Sequence, residues 1–229
     1  MPTTTDKETA SLQAAREVIE QIKRKPQSCL GLPTGRTPQA LYRHLIAIAR
    51  EENVDMTGVR FFGLDEYIDV RQESAFKTYL DKVIYQPLAI DQKNCFSPIM
   101  IDDYDALIKR QGGLDLTILG IGGNGHIAFN EPGTPEFSWT HCVTLDESTR
   151  TANQEFFPSP DAVPKRAVTM GIQTILESRK IILLAFSKSK ISILKRAFNG
   201  CIEGAVPASF LTKHPNLEIY TDFEFTWLK

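Results

Sequence analysis

A histidine and a carboxylate five residues apart, His126 and Glu131, follow four glycines at Gly120, Gly122, Gly123 and Gly125. An imidazole beside a carboxylate exchanges protons near neutral pH, and the carboxylate fixes which ring nitrogen holds the proton. Glycines so dense have no packing rationale where a strand ends, but they let backbone N–H groups close on a ligand. A second carboxylate, Asp65, follows the apolar run 59–64. Burial there would raise its pKa towards that of a useful base; capping a turn or helix is the commoner fate of such an Asp. Two further loops suit an anion. In Pro33-Thr34-Gly35-Arg36-Thr37-Pro38 the glycine permits close backbone approach, Thr34 and Thr37 donate hydroxyls, and a helix starts immediately afterwards. Threonine and proline before a helix are also ordinary caps. In Ser187-Lys188-Ser189-Lys190 a lysine at a strand end can neutralise a phosphate as a point charge, although either lysine alone would read as solvated surface. His44, His141 and His214 lack such surroundings and read as surface or packing residues. One His without a second nearby and no clustered carboxylates give too few ligands for a metal, so none is expected, and proton transfer by a carboxylate and a separate acid needs no organic cofactor.

These residues need strand ends to hold them, and the chain supplies strands alternating with helices. Leu12, Ala15, Ile19 and Ile22 recur at helical spacing before Pro26. Strands are expected at 29–32, 59–64, 95–97, 114–119, 140–145, 166–170, 180–186 and 217–221. Helices are expected from Gln39, over 74–88 and 104–110, before Leu176, around Ile191, Leu194 and Phe198, and over 207–213. The pattern predicts an α/β fold, a mostly parallel sheet covered by helices on both faces in a single domain. In such sheets ligands sit in the crevice beyond the strand C-termini. The polar, proline-punctuated segment 146–164 is the exception, readable as a mobile lid or as a plain surface loop.

A net charge of −2 gives no electrostatic footprint for nucleic acid or an anionic membrane. The N-terminal residues contain no apolar stretch, and the longest apolar run, 181–186, is strand-sized, so a cytoplasmic protein is expected. Cys29, Cys95, Cys142 and Cys201 are widely spaced and read as scattered, reduced, buried thiols.

Taken in order, the strings PTGRTP, LDEY, GNGHIAFNEPGT and SKSK resemble the glucosamine-6-phosphate deaminase family, with similarity along residues 29–221. The related 6-phosphogluconolactonases share the glycine-histidine core but lack the FNEP continuation. The resemblance implies a Rossmann-like fold and conversion of an amino-sugar phosphate to a ketose phosphate plus ammonia. It implies that Asp65 carries a proton from C2 to C1. It also implies that His126 opens the pyranose ring by working on the ring oxygen, that Glu131 supports its charge, and that Asn124, where many members have Asp, orients by hydrogen bonds. Thr34, Gly35, Arg36, Thr37 and Lys190 match phosphate-binding positions. Two departures stand out. Glu155 precedes Phe156 and Phe157 where the family commonly has a phosphate-reaching arginine; either the lid is set differently or Arg36 supplies that charge. Galactosamine-6-phosphate members also dispense with that arginine, which leaves the sugar epimer open. The loop after Pro132 lacks the basic residues of the activator site in hexameric relatives, so no such activation is expected and the oligomeric state stays open. The alternatives are a lactonase-type hydrolase and a non-catalytic sugar-phosphate sensor.

Overall fold

Helix α1, Lys7–Arg24, opens with the Asp6 side chain accepting the Thr9 N–H and lays Ala10, Ala14, Val18 and Ile22 into the core. The computed structural model describes residues 6–72 and 75–226. Strand β1, Cys29–Leu32, follows, then α2, Gln39–Glu51, β2, Arg60–Gly63, and β3, Asp65–Tyr67. Next come α3, Phe76–Leu80, β4, Cys95–Phe96, α4, Tyr104–Arg110, and β5, Leu116–Gly120. The remainder is β6, His141–Thr144, α5, Glu147–Asn153, β7, Arg166–Thr169, α6, Ile172–Leu176, β8, Ile181–Ala185, α7, Ile191–Ala197, and β9, Leu217–Thr221.

Six strands form one parallel sheet in the order β4-β2-β1-β5-β8-β9. Side chains alternate across it, as the pleat demands. Leu30, Leu32, Ile182 and Leu184 join the core against α1 and α2, whereas Cys29, Ile181 and Leu183 join the core against α4, α6 and α7. Helices therefore cover both faces, and the inner strands β1 and β8 are buried throughout. The chain builds the sheet outward from β1 in one direction, then returns to pair β5 on its other side. The carboxyl ends of β1 and β5 thus flank the topological switch point, where open α/β sheets bind ligands.

Several expectations change. Three strands leave the parallel sheet for a small antiparallel one, β3-β7-β6. Asp65 begins one of them instead of ending β2, because the Leu64 N–H still bonds Leu32 while its carbonyl accepts from Met170 beside β7. The helix expected over 74–88 starts at Phe76 and becomes a π turn at Asp81–Tyr85; Ser74 lies outside the described residues. Residues 207–213 coil as a 3-10 helix. The polar segment 146–164 is largely helical, as α5 followed by 3-10 turns at Gln154–Phe156 and Pro160–Ala162. Cys29 and Cys95 are buried, but Cys142 and Cys201 are exposed, so the thiols are not uniformly interior. His214 is buried, with Nε2 2.7 Å from the Ser178 carbonyl, while His44 meets Glu8 at the surface. Among the described residues no helix is long and apolar enough to cross a membrane.

Candidate active site

The loop after β1 runs from Pro33 into α2, with Gly35 at φ +87°, a conformation that side chains rarely adopt. Two tyrosines hold it from behind. Tyr42 on α2 donates to the Pro33 carbonyl at 2.6 Å, and Tyr79 on α3 donates to the Gly35 carbonyl at 2.8 Å. Neither was singled out from sequence, because each acts on backbone carbonyls, which no motif string displays.

The loop after β5 turns on itself. The Gly125 N–H reaches the Gly122 carbonyl, and the Gly122 N–H reaches the His126 carbonyl at 2.9 Å. The imidazole of His126 lies directly over Gly122: a Cβ there would sit 2.3 to 2.5 Å from three ring atoms. At Gly125, φ +91° and a Cβ contact of 2.7 Å with Val206 exclude a side chain for separate reasons. The glycines therefore make room for the histidine as well as for a ligand. Asn124 ties the turn together, its Oδ1 accepting the His126 N–H at 3.2 Å and its amide donating to Glu131 Oε2 at 2.9 Å. Glu131 stands behind the ring, 3.6 Å from His126 Nδ1. Burial alone would raise its pKa, but the nearby His126 imidazole and Thr149 hydroxyl, with the hydrogen bond from the Asn124 amide, outweigh burial and bring it down to about 2. Glu131 is thus a fixed negative charge facing one nitrogen of the imidazole.

Asp65 sits at the start of β3, 8% exposed. Burial, with the neighbouring Glu66 carboxylate second, pushes its pKa up to about 8, and no hydrogen bond offsets either cause. The Glu66 side chain is also buried, but it accepts the N–H groups of Tyr67, Phe76 and Lys77 at 2.8 to 3.0 Å. That carboxylate caps the start of α3 and locks the chain on which Asp65 stands. Adjacent acids therefore divide their work by their surroundings: one is anchored, the other has no side-chain partner among the described residues.

The motif segments meet in one cavity of about 550 Å³, within the range of small-ligand sites. Thr34, Gly35, Arg36, Thr37, Asp65, His126 and Lys190 all line it. Asn124 and Glu131 do not; they support His126 from behind. Lys190 is half-buried, donates to the Ile121 carbonyl at 2.8 Å, and has its pKa lowered by burial. Ser187 before it adopts φ +79°, its N–H held by the Asp222 carboxylate at 2.9 Å. Lys188 is exposed and not part of the wall.

Segment 146–164 forms another side of the cavity through Ala152, Asn153, Glu155 and Phe156. Glu155 forms an ion pair with Arg36, whose guanidinium also lies 5.9 Å from the Phe156 ring centre. Phe157 packs edge-on against Tyr67 of β3 at 5.4 Å. Thr149, on α5, places its hydroxyl 3.3 Å from His126 Nδ1; a lone threonine on a polar helix gives no sequence signal. Among the described residues no three of His, Cys, Asp and Glu gather as a metal site would require. The arrangement offers a buried base, an imidazole backed by a carboxylate, and a basic, hydroxyl-lined loop for an anion.

Comparison with known proteins agrees with this geometry. The sequence profile of the glucosamine-6-phosphate isomerases/6-phosphogluconolactonase family matches residues 5–220. A glucosamine-6-phosphate deaminase from Halalkalibacterium halodurans is 42% identical over 224 residues, covering 93% of this chain and 91% of that protein. One from Shouchella clausii is 40% identical over 227 residues, covering 95% and 92%. The solved structure of a monomeric glucosamine-6-phosphate deaminase of the NagB superfamily superposes with a TM-score of 0.91 at 40% identity, covering 95% of this chain and 94% of that one. A 6-phosphogluconolactonase from Plasmodium vivax, 18% identical with a TM-score of 0.73 over 97% and 89% of the two chains, shares the fold alone. From its residues, its sheet and its relatives, this chain belongs to the glucosamine-6-phosphate isomerase/6-phosphogluconolactonase family.

Proposed function

We propose that this protein is an amino-sugar-6-phosphate deaminase, converting glucosamine 6-phosphate and water to the ketose 6-phosphate and ammonia. The carrying observation is the shared cavity that Asp65, His126, the loop 33–38 and Lys190 all line. His126 moves a proton at the ring oxygen to open the pyranose. The free aldehyde at C1 then acidifies the C2 hydrogen, and Asp65 removes it as a general base. The enolate oxygen so formed takes a proton from the substrate's ammonium, and the resulting enolamine receives the C2 proton back from Asp65 at C1, leaving an iminium at C2. Water adds to that carbon, and ammonia departs as the ketone forms. No step requires an external oxidant, and the imidazolium formed along the way is balanced by Glu131. Thr34, Gly35, Thr37 and Lys190 hold the phosphate by hydroxyl, backbone and point-charge contacts. In this reading segment 146–164 is the lid of a single domain spanning 1–229, and the reaction is cytoplasmic.

Ammonia release from glucosamine 6-phosphate and galactosamine 6-phosphate, beside hydrolysis of 6-phosphogluconolactone, tests the assignment. Release of ammonia from either hexosamine phosphate is expected; lactone hydrolysis with no ammonia would replace it with the hydrolase reading. The comparison also settles the epimer.

Arg36 belongs to this reading as a phosphate contact that Glu155 occupies when no substrate is bound. Charge-assisted contacts to phosphate are strong, but this guanidinium is well exposed, which weakens its pull. Arg36→Ala should therefore raise KM roughly tenfold with kcat little changed, and Glu155→Gln should lower KM by freeing the arginine. An unchanged KM in Arg36→Ala would restrict this side chain to anchoring the lid.

A further inference from the structure

The hydroxyl of Thr149 is buried, the residue being 2% exposed, and lies 3.3 Å from His126 Nδ1. That nitrogen also faces Glu131, but at 3.6 Å, beyond a normal hydrogen bond. Glu131 Oε2 is already taken by the Asn124 amide, while Oε1 is buried and receives no well-formed hydrogen bond. A buried carboxylate oxygen without a donor is costly. A hydroxyl can accept one hydrogen bond and donate another, and Thr149 is close enough to Glu131 to help keep that carboxylate ionised.

We propose that Thr149 is a positioning residue for ring opening: it accepts the His126 Nδ1–H and turns its own proton towards Glu131. With Nδ1 engaged from behind, Nε2 is the only ring nitrogen left for the substrate. The hydroxyl fixes the ring by its tautomer as well as by its tilt. The carrier of this contact is α5, whose own end is tied by the Asn153 amide to the Thr149 carbonyl at 3.0 Å. The same segment runs on to Glu155, which pairs with Arg36. One short stretch of chain therefore touches both the proton-moving imidazole and the anion loop. A phosphate that displaces Glu155 would be sensed at His126 through Thr149.

The effect on turnover rests on the deaminase reading; the effect on the imidazole does not. The test compares Thr149→Val, which keeps the shape and removes the hydroxyl, with Thr149→Ser, which keeps the hydroxyl. Loss of one hydrogen bond that orients a proton-transferring group should lower kcat by roughly tenfold in Thr149→Val. KM should stay within about twofold, and Thr149→Ser should remain within about twofold of the parent in both constants. In histidine-labelled protein without substrate, the 15N signals of His126 should shift in Thr149→Val, as the proton redistributes between the two ring nitrogens, and return in Thr149→Ser. Thr149→Ala replaces the valine variant should that one fail to give a native melting transition. Parental kcat and parental 15N signals in Thr149→Val would overturn the proposal. So would a serine variant as impaired as the valine, since methyl packing would then be the cause. If the parent releases no ammonia from either sugar, the 15N comparison decides alone.

Discussion

Asp65→Asn should lower turnover by about 10²- to 10⁴-fold while making the folded protein more resistant to urea at alkaline pH. The first effect follows from its proposed task. An amide at this position cannot accept the C2 proton, and no other carboxylate among the described residues lines the cavity except Glu155, which is paired with Arg36. The second follows from how the side chain is held. An Asp in an unfolded chain ionises near pH 4, whereas burial and Glu66 hold folded Asp65 at about 8. A raised folded pKa favours the protonated form, so its contribution to stability is complete below about pH 4. It is lost progressively as pH rises through about 8. Asn never ionises and escapes that loss. Urea midpoints for the two proteins should nearly coincide at or just below pH 4 and separate progressively in favour of Asp65→Asn up to pH 9. Equal midpoints at pH 9 would show that Asp65 is already ionised without cost. The same burial shapes the rate: kcat/KM reports the free enzyme and should climb with pH to about 8. The substrate's ammonium, close to the carboxylate, should favour the ionised base, so kcat should level off at lower pH.

His126→Gln should cost roughly 10²- to 10³-fold in kcat, and it should move the slow step. Ring opening and proton abstraction are separate events assigned to separate residues, and deuterium at C2 distinguishes them. When opening is slow, breaking the C2 bond no longer limits the rate, so the isotope effect should fall towards unity in His126→Gln. In Asp65→Asn, abstraction limits everything and the effect should be at its largest. A full isotope effect in His126→Gln would remove the ring-opening assignment. Glu131→Gln should give a milder loss, because Asn124 still holds the His126 backbone N–H and Thr149 still contacts Nδ1 while the balancing charge disappears.

Much of this site could be read from the chain because glycine and proline punctuate it. Glycine is demanded by positive φ at Gly35, by the overlying imidazole at Gly122 and by both φ and the Val206 contact at Gly125, and the residues beside them line the cavity or support it. The alternation of apolar runs with helical spacing likewise predicts a mostly parallel sheet covered by helices, although two of the eight expected strands belong to the small antiparallel sheet instead. Strand direction left no such trace. β3 is three residues long, and its antiparallel partner β7 lies about a hundred residues downstream, so nothing local announces that Asp65 opens a second sheet. Thr149, Tyr42 and Tyr79 were illegible for a related reason. Each acts through a hydrogen bond to another element, and threonine or tyrosine on a helix is too common to signal it. Arg36 and Glu155 were visible as oddities, but their pairing across the cavity mouth required coordinates.

The register of the small antiparallel sheet sets one last consequence. Thr144 and Arg166 are directly opposed residues on β6 and β7, so residues 145–165 leave and rejoin the body through a single rung. Whatever conformation or length this excursion takes, its two roots stay neighbours, and the ladder that positions Asp65 does not have to re-register. The cover is therefore interchangeable in principle: another family member's counterpart, spliced between these two anchor points, could retune substrate choice without rebuilding the chassis underneath.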